Sequence, residues 1–425
     1  MTPVPLAAVP AHGFAVAALV FGSLLVFGAL LSGLARRSFL SLTALFVVAG
    51  FLLGHGGFEV VSFAPRSSFV QQLALVALVV ILFRDGLEVE GEMLQGHWRL
   101  PVRKLVLAMP LTAVLVALLT RLLVGLSWTE SFLLGALLAP TDPVLSSSVI
   151  TNPRVPRIVR HSLNLESGMN DGLALPAVLA LSAALGSAQG EHFVWWRFVL
   201  QDVGVGLLTG VLVGGLAARL LPHERARGRE IPAHQKSLFA LGTAFAAYGI
   251  AVLTPEGNGL IAVFVCAIVL GIMRPDIRGH FEERADDIVE IVKLGVFVVF
   301  GSLLTLHGLF GDGWAAVGVV AFTLLVARPV AVFAALAGTR VDNATKGFMA
   351  WFGPKGVATV TFSLLVLSQD IPAGSRIFNL AALAVFTSII VHGLSDTPGA
   401  NWIARRSAGP EVAEGPSGQR TVDSA

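Results

Sequence analysis

The sequence has few of the residues that stabilise secreted or soluble proteins. It contains one cysteine and one tyrosine in 425 residues, and only 13% of its residues are Asp, Glu, Lys or Arg. The single cysteine, Cys266, cannot form an intrachain disulfide, and its apolar neighbours predict a packed thiol without a redox role. Charged residues are too few for a soluble globular protein of this length. A disulfide-stabilised domain and a soluble protein are therefore both excluded.

Long apolar runs fill most of the chain instead. Hydrophobic residues make up 55% of the sequence, and the mean hydropathy is +0.79, as expected for a polytopic membrane protein. Because a helix of about 20 apolar residues spans the bilayer core, the sequence predicts an all-α fold with about thirteen transmembrane helices. These crossings are predicted at roughly 14–34, 39–54, 69–86, 103–125, 129–150, 159–187, 195–221, 236–254, 258–273, 287–307, 314–337, 346–368 and 376–395.

Lys and Arg residues divide unequally between alternate loops. Twenty lie on one side of the membrane, and four lie on the other, namely Arg66, Arg121, Arg197 and Arg376. The positive-inside rule then predicts an extracytoplasmic N-terminus and a cytoplasmic C-terminus in the plasma or inner membrane. Since the basic residues follow the topology, the sequence pI near 9.0 indicates a lipid bilayer rather than a nucleic acid as the partner.

A single transmembrane domain accounts for the apolar part of the chain. We expect an N-terminal extracytoplasmic segment at 1–13, the domain itself at 14–395, and a short disordered cytoplasmic tail at 396–425 that is rich in Gly, Pro and Ser. The charged loop after the seventh crossing is expected to join two six-helix halves. The first apolar run lacks the basic start of a signal peptide and precedes Arg36 and Arg37, so we interpret it as a crossing.

Several charged residues lie inside the predicted crossings. A charge at membrane depth is costly and usually faces the protein interior or an aqueous cavity. These residues are Asp142, Glu166, Asp171, Lys293, Arg328 and Lys355, with Arg84, Asp85 and Asp202 nearer the ends of crossings. They are the candidates for chemistry, although Arg84, Asp85 and Lys293 receive no role from the sequence.

The fifth crossing contains the sequence APTDP at residues 139–143. Both prolines lack a backbone N–H and disfavour helix in the preceding residue, so the helix should unwind at Thr141 and Asp142. Unwound backbone at membrane depth is tolerated only where it is buried in protein or lines a cavity. Two interpretations stay open: Asp142 faces an ion path, or it caps the second half of a kinked helix.

The sixth crossing contains NLESGMNDG at residues 164–172. Ser167 and Asp171 are four residues apart and share one helix face, whereas Glu166 and Asn170 form a second such pair. Glu166 and Asp171 are five residues apart and point about 140° away from each other, so they need separate partners. The alternative is that all four are polar contacts between helices.

The twelfth crossing is interrupted by GPKG at residues 353–356. In two inverted repeats, crossings 1–6 and 8–13, this interruption and the one at Asp142 occupy corresponding places. Paired broken helices of this kind indicate the substrate site of a secondary transporter. Lys355 would put a fixed positive charge at that site, or it would snorkel if the helix boundary lies elsewhere.

The eleventh crossing contains Arg328 in the sequence ARP. A buried guanidinium is always ionised and needs a carboxylate partner. Glu166, which faces away from Asp171, is the partner that we favour. Lys293 is expected either to pair with Glu290 or to snorkel.

The motifs APTDP, ESGMNDG, ARP and GPKG, with FRDGLE at the end of the third crossing, together resemble the monovalent cation:proton antiporters of the NhaP/NHE type. The resemblance covers roughly residues 14–395. It implies inverted six-helix repeats, a core bundle with two crossing broken helices, and a dimerisation bundle that forms a homodimer. The roles that it implies are ion binding by Asp142, Asp171, Ser167 and the main-chain carbonyl of Thr141, site orientation by Asn170, and a stabilising ion pair between Glu166 and Arg328.

The resemblance implies exchange of a monovalent cation for H⁺ without a cofactor. Na⁺ is the favoured cation, with Li⁺ or K⁺ as alternatives, and Asn170 in place of a second acid goes with electroneutral exchange in that family. Lys355 stands where the family commonly has Arg, and Arg84 stands where it often has an acid. Other candidates are a K⁺/H⁺ antiporter or cation channel of the same fold and, more remotely, an intramembrane aspartyl protease, whose second Asp is expected in GxGD rather than GMND.

Overall fold

The computed structural model describes residues 42–93, 98–142, 152–186, 193–222, 231–255, 257–369 and 371–407, together with isolated positions near the N-terminus and Val149. Four predicted features therefore lie wholly or mostly outside the described residues. They are the segment at 1–13, the first crossing at 14–34, the second half of the fifth crossing after Asp142, and the tail from residue 408.

Every regular element in the described ranges is a helix, as predicted. The helices are α1 (Leu42–Leu53), α2 (Ser68–Met93), α3 (Arg99–Leu123), α4 (Trp128–Leu138), α5 (Arg157–Gly186), α6 (Trp195–Leu220), α7 (Ala233–Leu253), α8 (Gly259–Met273), α9 (Pro275–Leu303), α10 (Leu306–Leu309), α11 (Gly313–Ala335), α12 (Asn343–Trp351), α13 (Val357–Ser368) and α14 (Gly374–Ser407). Seven of them are long and apolar enough to cross a membrane, and α1, α4, α8 and α13 are shorter apolar helices.

Both predicted helix breaks are present. Helix α4 ends at Leu138 and the chain is unwound to Asp142, while residues 352–356 separate α12 from α13. Because each break combines a proline with further prolines or glycines, which together disfavour a continuous helix, the sequence locates it without knowledge of the tertiary structure. The broken helices are the parts of the fold that position the candidate site.

A second pair of helices carries matching distortions. Helix α3 contains a π-helical turn at Lys104–Ala108 and α11 contains one at Thr323–Ala327, each two residues before a proline. Proline lacks an N–H and its ring crowds the carbonyl four residues earlier, which favours a local widening of the helix. The two helices are the fourth and eleventh crossings, which correspond in the predicted inverted repeats, and they pack against each other.

Glycines allow α6 to pack closely on α8. Gly206, Gly210 and Gly214 recur every four residues, and a Cβ at these positions would lie 2.9, 2.6 and 2.7 Å from carbonyl oxygens of α8 or of Asn258 just before it. This small-residue spacing is typical of tightly packed membrane helices. Cys266 lies in this contact and is buried, in agreement with the predicted packing role.

Some helix ends lie beyond the predicted crossings, because helices continue past the apolar segment that spans the bilayer. The predicted start of the tail at residue 396 is wrong in the described part, since α14 runs on to Ser407. Ala400 and Ile403 on this extension are buried against Phe348 and Phe352. Burial of that apolar face keeps the extension helical.

Candidate functional site

The two helix breaks cross and contact each other directly. The backbone N–H of Asp142 donates a hydrogen bond to the carbonyl of Pro354, at 2.8 Å. A Cβ at Gly356 would overlap the side chain of Asp142. Glycine at this position therefore lets the two unwound segments approach.

Asp142 caps a helix, but one from the other half of the chain. Its Oδ2 accepts a hydrogen bond from the backbone N–H of Val357, the first residue of α13, at 3.3 Å. A carboxylate is favourable there because the N-terminus of a helix carries partial positive charge. The half-helix that the sequence-based alternative would have Asp142 cap lies outside the described residues.

Lys355 binds backbone carbonyls at the C-terminal end of α4. Its Nζ donates to the carbonyl of Pro140 at 3.2 Å and reaches that of Ala139 at 3.5 Å. These carbonyls directly follow the end of α4, where the helix dipole is negative. Lys355 is fully buried, so the snorkelling alternative is wrong.

Arg328 binds Glu166, as predicted, with 3.0 Å between Nη1 and Oε1. Its Nη2 also approaches the carbonyls of Met349 and Phe352 at the end of α12, at 3.4 and 3.5 Å. A Cβ at Gly353 would overlap the guanidinium group. Arg328 therefore joins α5 to the end of the second broken helix.

The second cation at Glu166 was missed by sequence reasoning. The Nζ of Lys104 lies 2.5 Å from Oε2 of Glu166 and donates to Ser162 Oγ at 3.3 Å. Lys104 is one of the twenty basic residues that the sequence places on the cytoplasmic side, next to the start of the fourth predicted crossing, but its side chain is completely buried. No sequence signal separates it from Arg103, which hydrogen-bonds to the carbonyl of Ala337 near the surface.

Asn170 and Glu166 both hold Thr141. The amide group of Asn170 donates to the Thr141 carbonyl at 2.6 Å, and the Thr141 hydroxyl donates to Glu166 Oε1 at 3.4 Å. The predicted pairing of Glu166 and Asn170 on one helix face is thus confirmed. These contacts fix the unwound backbone immediately before Asp142.

The opposite face of α5 lines a small cavity together with Asp142. Asp142, Ser167 and Asp171 therefore meet in one place, as predicted, while Thr141 and Asn170 do not line the cavity. The remaining lining residues are Ile81, Arg84, Asp85, Glu88, Asn164, Lys293 and Val357. The cavity is thus bordered by acids from three separate parts of the chain.

Sequence reasoning left Asp85 and Lys293 without a role, yet both line this cavity. Asp85 comes from α2 and Lys293 from α9, and both are largely buried. Arg84 forms an ion pair with Glu88 one turn later, with 3.1 Å between Nε and Oε1. The structure therefore supports neither predicted alternative for Lys293, pairing with Glu290 or snorkelling. The side chain lines the cavity instead.

Comparison with known proteins agrees with this arrangement. Residues 22–402 match the profile of the transmembrane sodium/hydrogen exchanger family. The K(+)/H(+) antiporter NhaP of Alkalimonas amylolytica is 23% identical over 401 residues, which are 92% of this chain and 68% of that protein. The Na(+)/H(+) antiporter 2 of Zygosaccharomyces rouxii is 26% identical over 378 residues, which are 80% of this chain and 46% of that protein.

The fold is similar to that of a solved antiporter. The structure of the sodium proton antiporter MjNhaP1 from Methanocaldococcus jannaschii at pH 8 has a TM-score of 0.78 and 19% identity, and the match covers 93% of this chain and 100% of that one. Family and fold thus agree with the resemblance found in the motifs, and the aspartyl protease alternative is wrong. The chain belongs to the sodium/hydrogen exchanger family, which consists of membrane transporters of the NhaP and NHE type rather than enzymes.

Proposed function

We propose that the chain exchanges a monovalent cation for H⁺ by competition at Asp142 and Asp171. The observation that carries the proposal is the convergence of both carboxylates and Ser167 on one cavity at the crossing of two broken helices. Unwound half-helices at such a place are the usual construction of an ion site in a secondary transporter.

The chemistry of these groups suits both substrates. Carboxylate and hydroxyl oxygens are hard ligands of the kind that small cations require. Withdrawal from water and a neighbouring carboxylate both raise the pKa of a carboxyl group in general, which brings proton binding toward neutral pH. Since a proton and a cation cannot occupy the same carboxylate, every cycle must exchange one for the other.

The remaining charges keep the site in place during this exchange. Lys355 and Asp142 neutralise helix ends at the crossing, and Glu166 is held by Arg328 and Lys104. Asn170, on the face of α5 that points away from the cavity, donates to the Thr141 carbonyl. We propose that these groups move as one body when the loaded site turns from one side of the membrane to the other.

We propose Na⁺ as the transported cation, exchanged one for one with H⁺. The presence of Asn170 beside Asp171 supports the stoichiometry, since a second acid would add a further titratable group. The name of the Zygosaccharomyces rouxii relative, a Na(+)/H(+) antiporter, supports Na⁺. K⁺ is the second candidate, because the Alkalimonas amylolytica relative is named a K(+)/H(+) antiporter.

Purified protein in proteoliposomes tests the function. A pH gradient reported by a quenched dye should collapse on addition of the transported cation, and Na⁺, Li⁺ and K⁺ are compared across a pH series. A voltage-sensitive dye in the same vesicles should record no potential during turnover. Cation current without proton movement would instead indicate a channel.

We further propose a homodimer with its N-terminus outside and its C-terminus in the cytoplasm of a plasma or inner membrane. The orientation is supported by the loop charges. Labelling of a cysteine introduced beside Arg376, compared with one beside Arg405, by a membrane-impermeant reagent in intact cells would test it. Only the former should react.

A further inference from the structure

One face of α14 contacts the break between α12 and α13. Ser388, His392 and Ser395 lie four and three residues apart on this face, so their side chains point to the same side of the helix. Ser388 is fully buried and His392 is 2% exposed. Sequence reasoning singled out none of these residues.

Ser388 and His392 bind the two ends of the break. The backbone N–H of Lys355 donates to Ser388 Oγ at 2.8 Å. At the other end, His392 Nε2 lies 2.9 Å from the carbonyl of Trp351, the last residue of α12. Both backbone groups have lost their helical partners, and at membrane depth an unpaired backbone group is costly. The Trp351 carbonyl also accepts from the Gly353 N–H at 2.9 Å, whereas Ser388 is the partner of the Lys355 N–H.

The hydrogen bonds form a chain with a consistent direction. The Trp351 carbonyl can only accept, so Nε2 of His392 must carry a proton. In a neutral imidazole Nδ1 then accepts from the Ser388 hydroxyl at 3.1 Å, while Ser388 Oγ accepts from the Lys355 N–H. A second proton on Nδ1 would be donated to the Ser388 carbonyl at 2.9 Å, which leaves the bond to Trp351 unchanged.

The segment held in this way shapes the surroundings of Asp142. It supplies the Pro354 carbonyl that accepts from the Asp142 N–H, and it ends at Val357, whose N–H binds the Asp142 carboxylate. It also carries Lys355, whose ammonium group binds the carbonyl of Pro140. Movement of residues 352–356 would therefore displace Asp142 through three separate contacts.

We infer that Ser388 and His392 are positioning residues of the ion site, which hold the second broken helix so that Asp142 faces the cavity. This inference rests on the proposed exchange at Asp142 and Asp171. Neither residue lines the cavity, so they act on binding through the backbone of the break. Their loss should weaken cation binding more than it slows turnover at saturating cation.

The chain offers close controls for this effect. Ser395 is on the same face of α14, but its hydroxyl binds the Trp351 indole and carbonyls of its own helix rather than the break's backbone. Ser363 is fully buried in α13, and its hydroxyl donates to the carbonyl of Val360 within the same helix. Ser→Ala at either position removes the same atom without freeing the break.

The test compares apparent cation KM and maximal exchange rate in proteoliposomes. Ser388→Ala removes the bond to His392 and leaves the buried Lys355 N–H without its partner, so it should raise KM about fivefold or more, with a smaller change in rate. Ser388→Thr keeps the hydroxyl and should restore KM. His392→Leu should raise KM and His392→Gln, which can still donate and accept, should restore much of it, while Ser395→Ala and Ser363→Ala stay close to the unmodified protein.

Gel filtration in detergent verifies that each variant is folded. If Ser388→Ala does not fold, the comparison of His392→Leu with His392→Gln tests the inference in its place. An unchanged KM in Ser388→Ala or His392→Leu would overturn the inference but leave the proposed function intact. A rise in Ser395→Ala as large as that in Ser388→Ala would do the same. Absence of any exchange by the unmodified protein would overturn the proposed function first, and the inference with it.

Discussion

Lys104 binds the carboxylate oxygen of Glu166 that Arg328 leaves free, with 2.5 Å between Nζ and Oε2. The two cations come from α3 and α11, the helices with matching π-helical turns. Glu166 therefore joins corresponding helices of the two repeats through a single buried carboxylate. A buried carboxylate with both oxygens bound is costly to disturb, since removal of one partner leaves charge uncompensated.

Lys104→Met should lower the stability of the protein. Loss of one partner of a buried ion pair costs about 3 to 5 kcal/mol of unfolding free energy. We expect the lower end of this range, because Arg328 still binds Glu166. The measurement is the melting temperature in detergent. Arg103→Met is the control, because Arg103 is half-buried and donates to the carbonyl of Ala337 rather than to a carboxylate. Equal melting temperatures for Lys104→Met and the unmodified protein would contradict the importance of the second cation.

Asp171→Asn should abolish exchange without loss of folded protein. The substitution keeps the shape of the side chain but removes the carboxylate that we propose to trade a proton for a cation. Asp287→Asn is the matched control, because Asp287 is exposed on α9 and does not line the cavity. Dissipation of a pH gradient by Asp171→Asn at the normal rate would remove Asp171 from the proposed mechanism.

Local chemistry explains which parts of the site the sequence could predict. Two prolines around Asp142, and a proline between two glycines beside Lys355, disfavour a continuous helix, which is why both breaks were located correctly. A single proline is not enough, since Pro176 and Pro398 lie inside α5 and α14. The pairing of Glu166 with Arg328 followed from helical phase and from the requirement that a buried guanidinium finds a carboxylate. The first argument uses only neighbouring residues in the sequence. The second adds one long-range constraint, the need of Arg328 for a carboxylate.

The missed residues are those whose role depends on packing alone. Lys104 and Arg103 are adjacent basic residues at the start of one apolar run, and only tertiary contacts separate them. Lys293 enters the cavity because α9 packs against α2. Ser388 and His392 are polar residues inside a continuous helix and carry no fixed charge. Nothing in the sequence therefore distinguishes them from ordinary polar residues.

Lys293→Met should strengthen cation binding. Lys293 is a positive charge in the same cavity as Asp85, Asp142 and Asp171, where it repels an incoming cation. Two unit charges about 8 Å apart repel by about 2 kcal/mol even at an effective dielectric constant near 20, so removal of that charge is expected to lower apparent KM by more than tenfold. The readout is the cation concentration for half-maximal exchange in proteoliposomes.

Two variants control for the charge at Lys293. Lys293→Arg keeps the charge and should leave KM near that of the unmodified protein. Glu290→Gln changes the charge of α9 one turn earlier, at a residue that does not line the cavity, and should also have little effect. A rise in KM on Lys293→Met would mean that the ammonium group supports the site rather than repels the cation.

Asp276→Asn should lower stability at neutral pH and have no effect in strong acid. Asp276 lies at the start of α9, before the predicted crossing, and Arg274 donates to both of its carboxylate oxygens at 2.8 Å. The hydrogen bond from Arg274 holds the pKa of Asp276 below its ordinary value of 3.8. Because the folded-state pKa is lowered, the stabilisation is present above pH 3.8 and disappears as the pH falls through the folded-state value.

Melting temperatures of Asp276→Asn and the unmodified protein, measured in detergent from pH 7 to pH 3, would show this directly. The difference should be constant from pH 7 to about pH 5 and should shrink below pH 3.8, where the unmodified carboxylate takes up its proton. Asp287→Asn controls for the loss of one exposed negative charge on α9. A difference that persists unchanged at pH 3 would assign the effect to packing at Arg274 rather than to the ionised carboxylate.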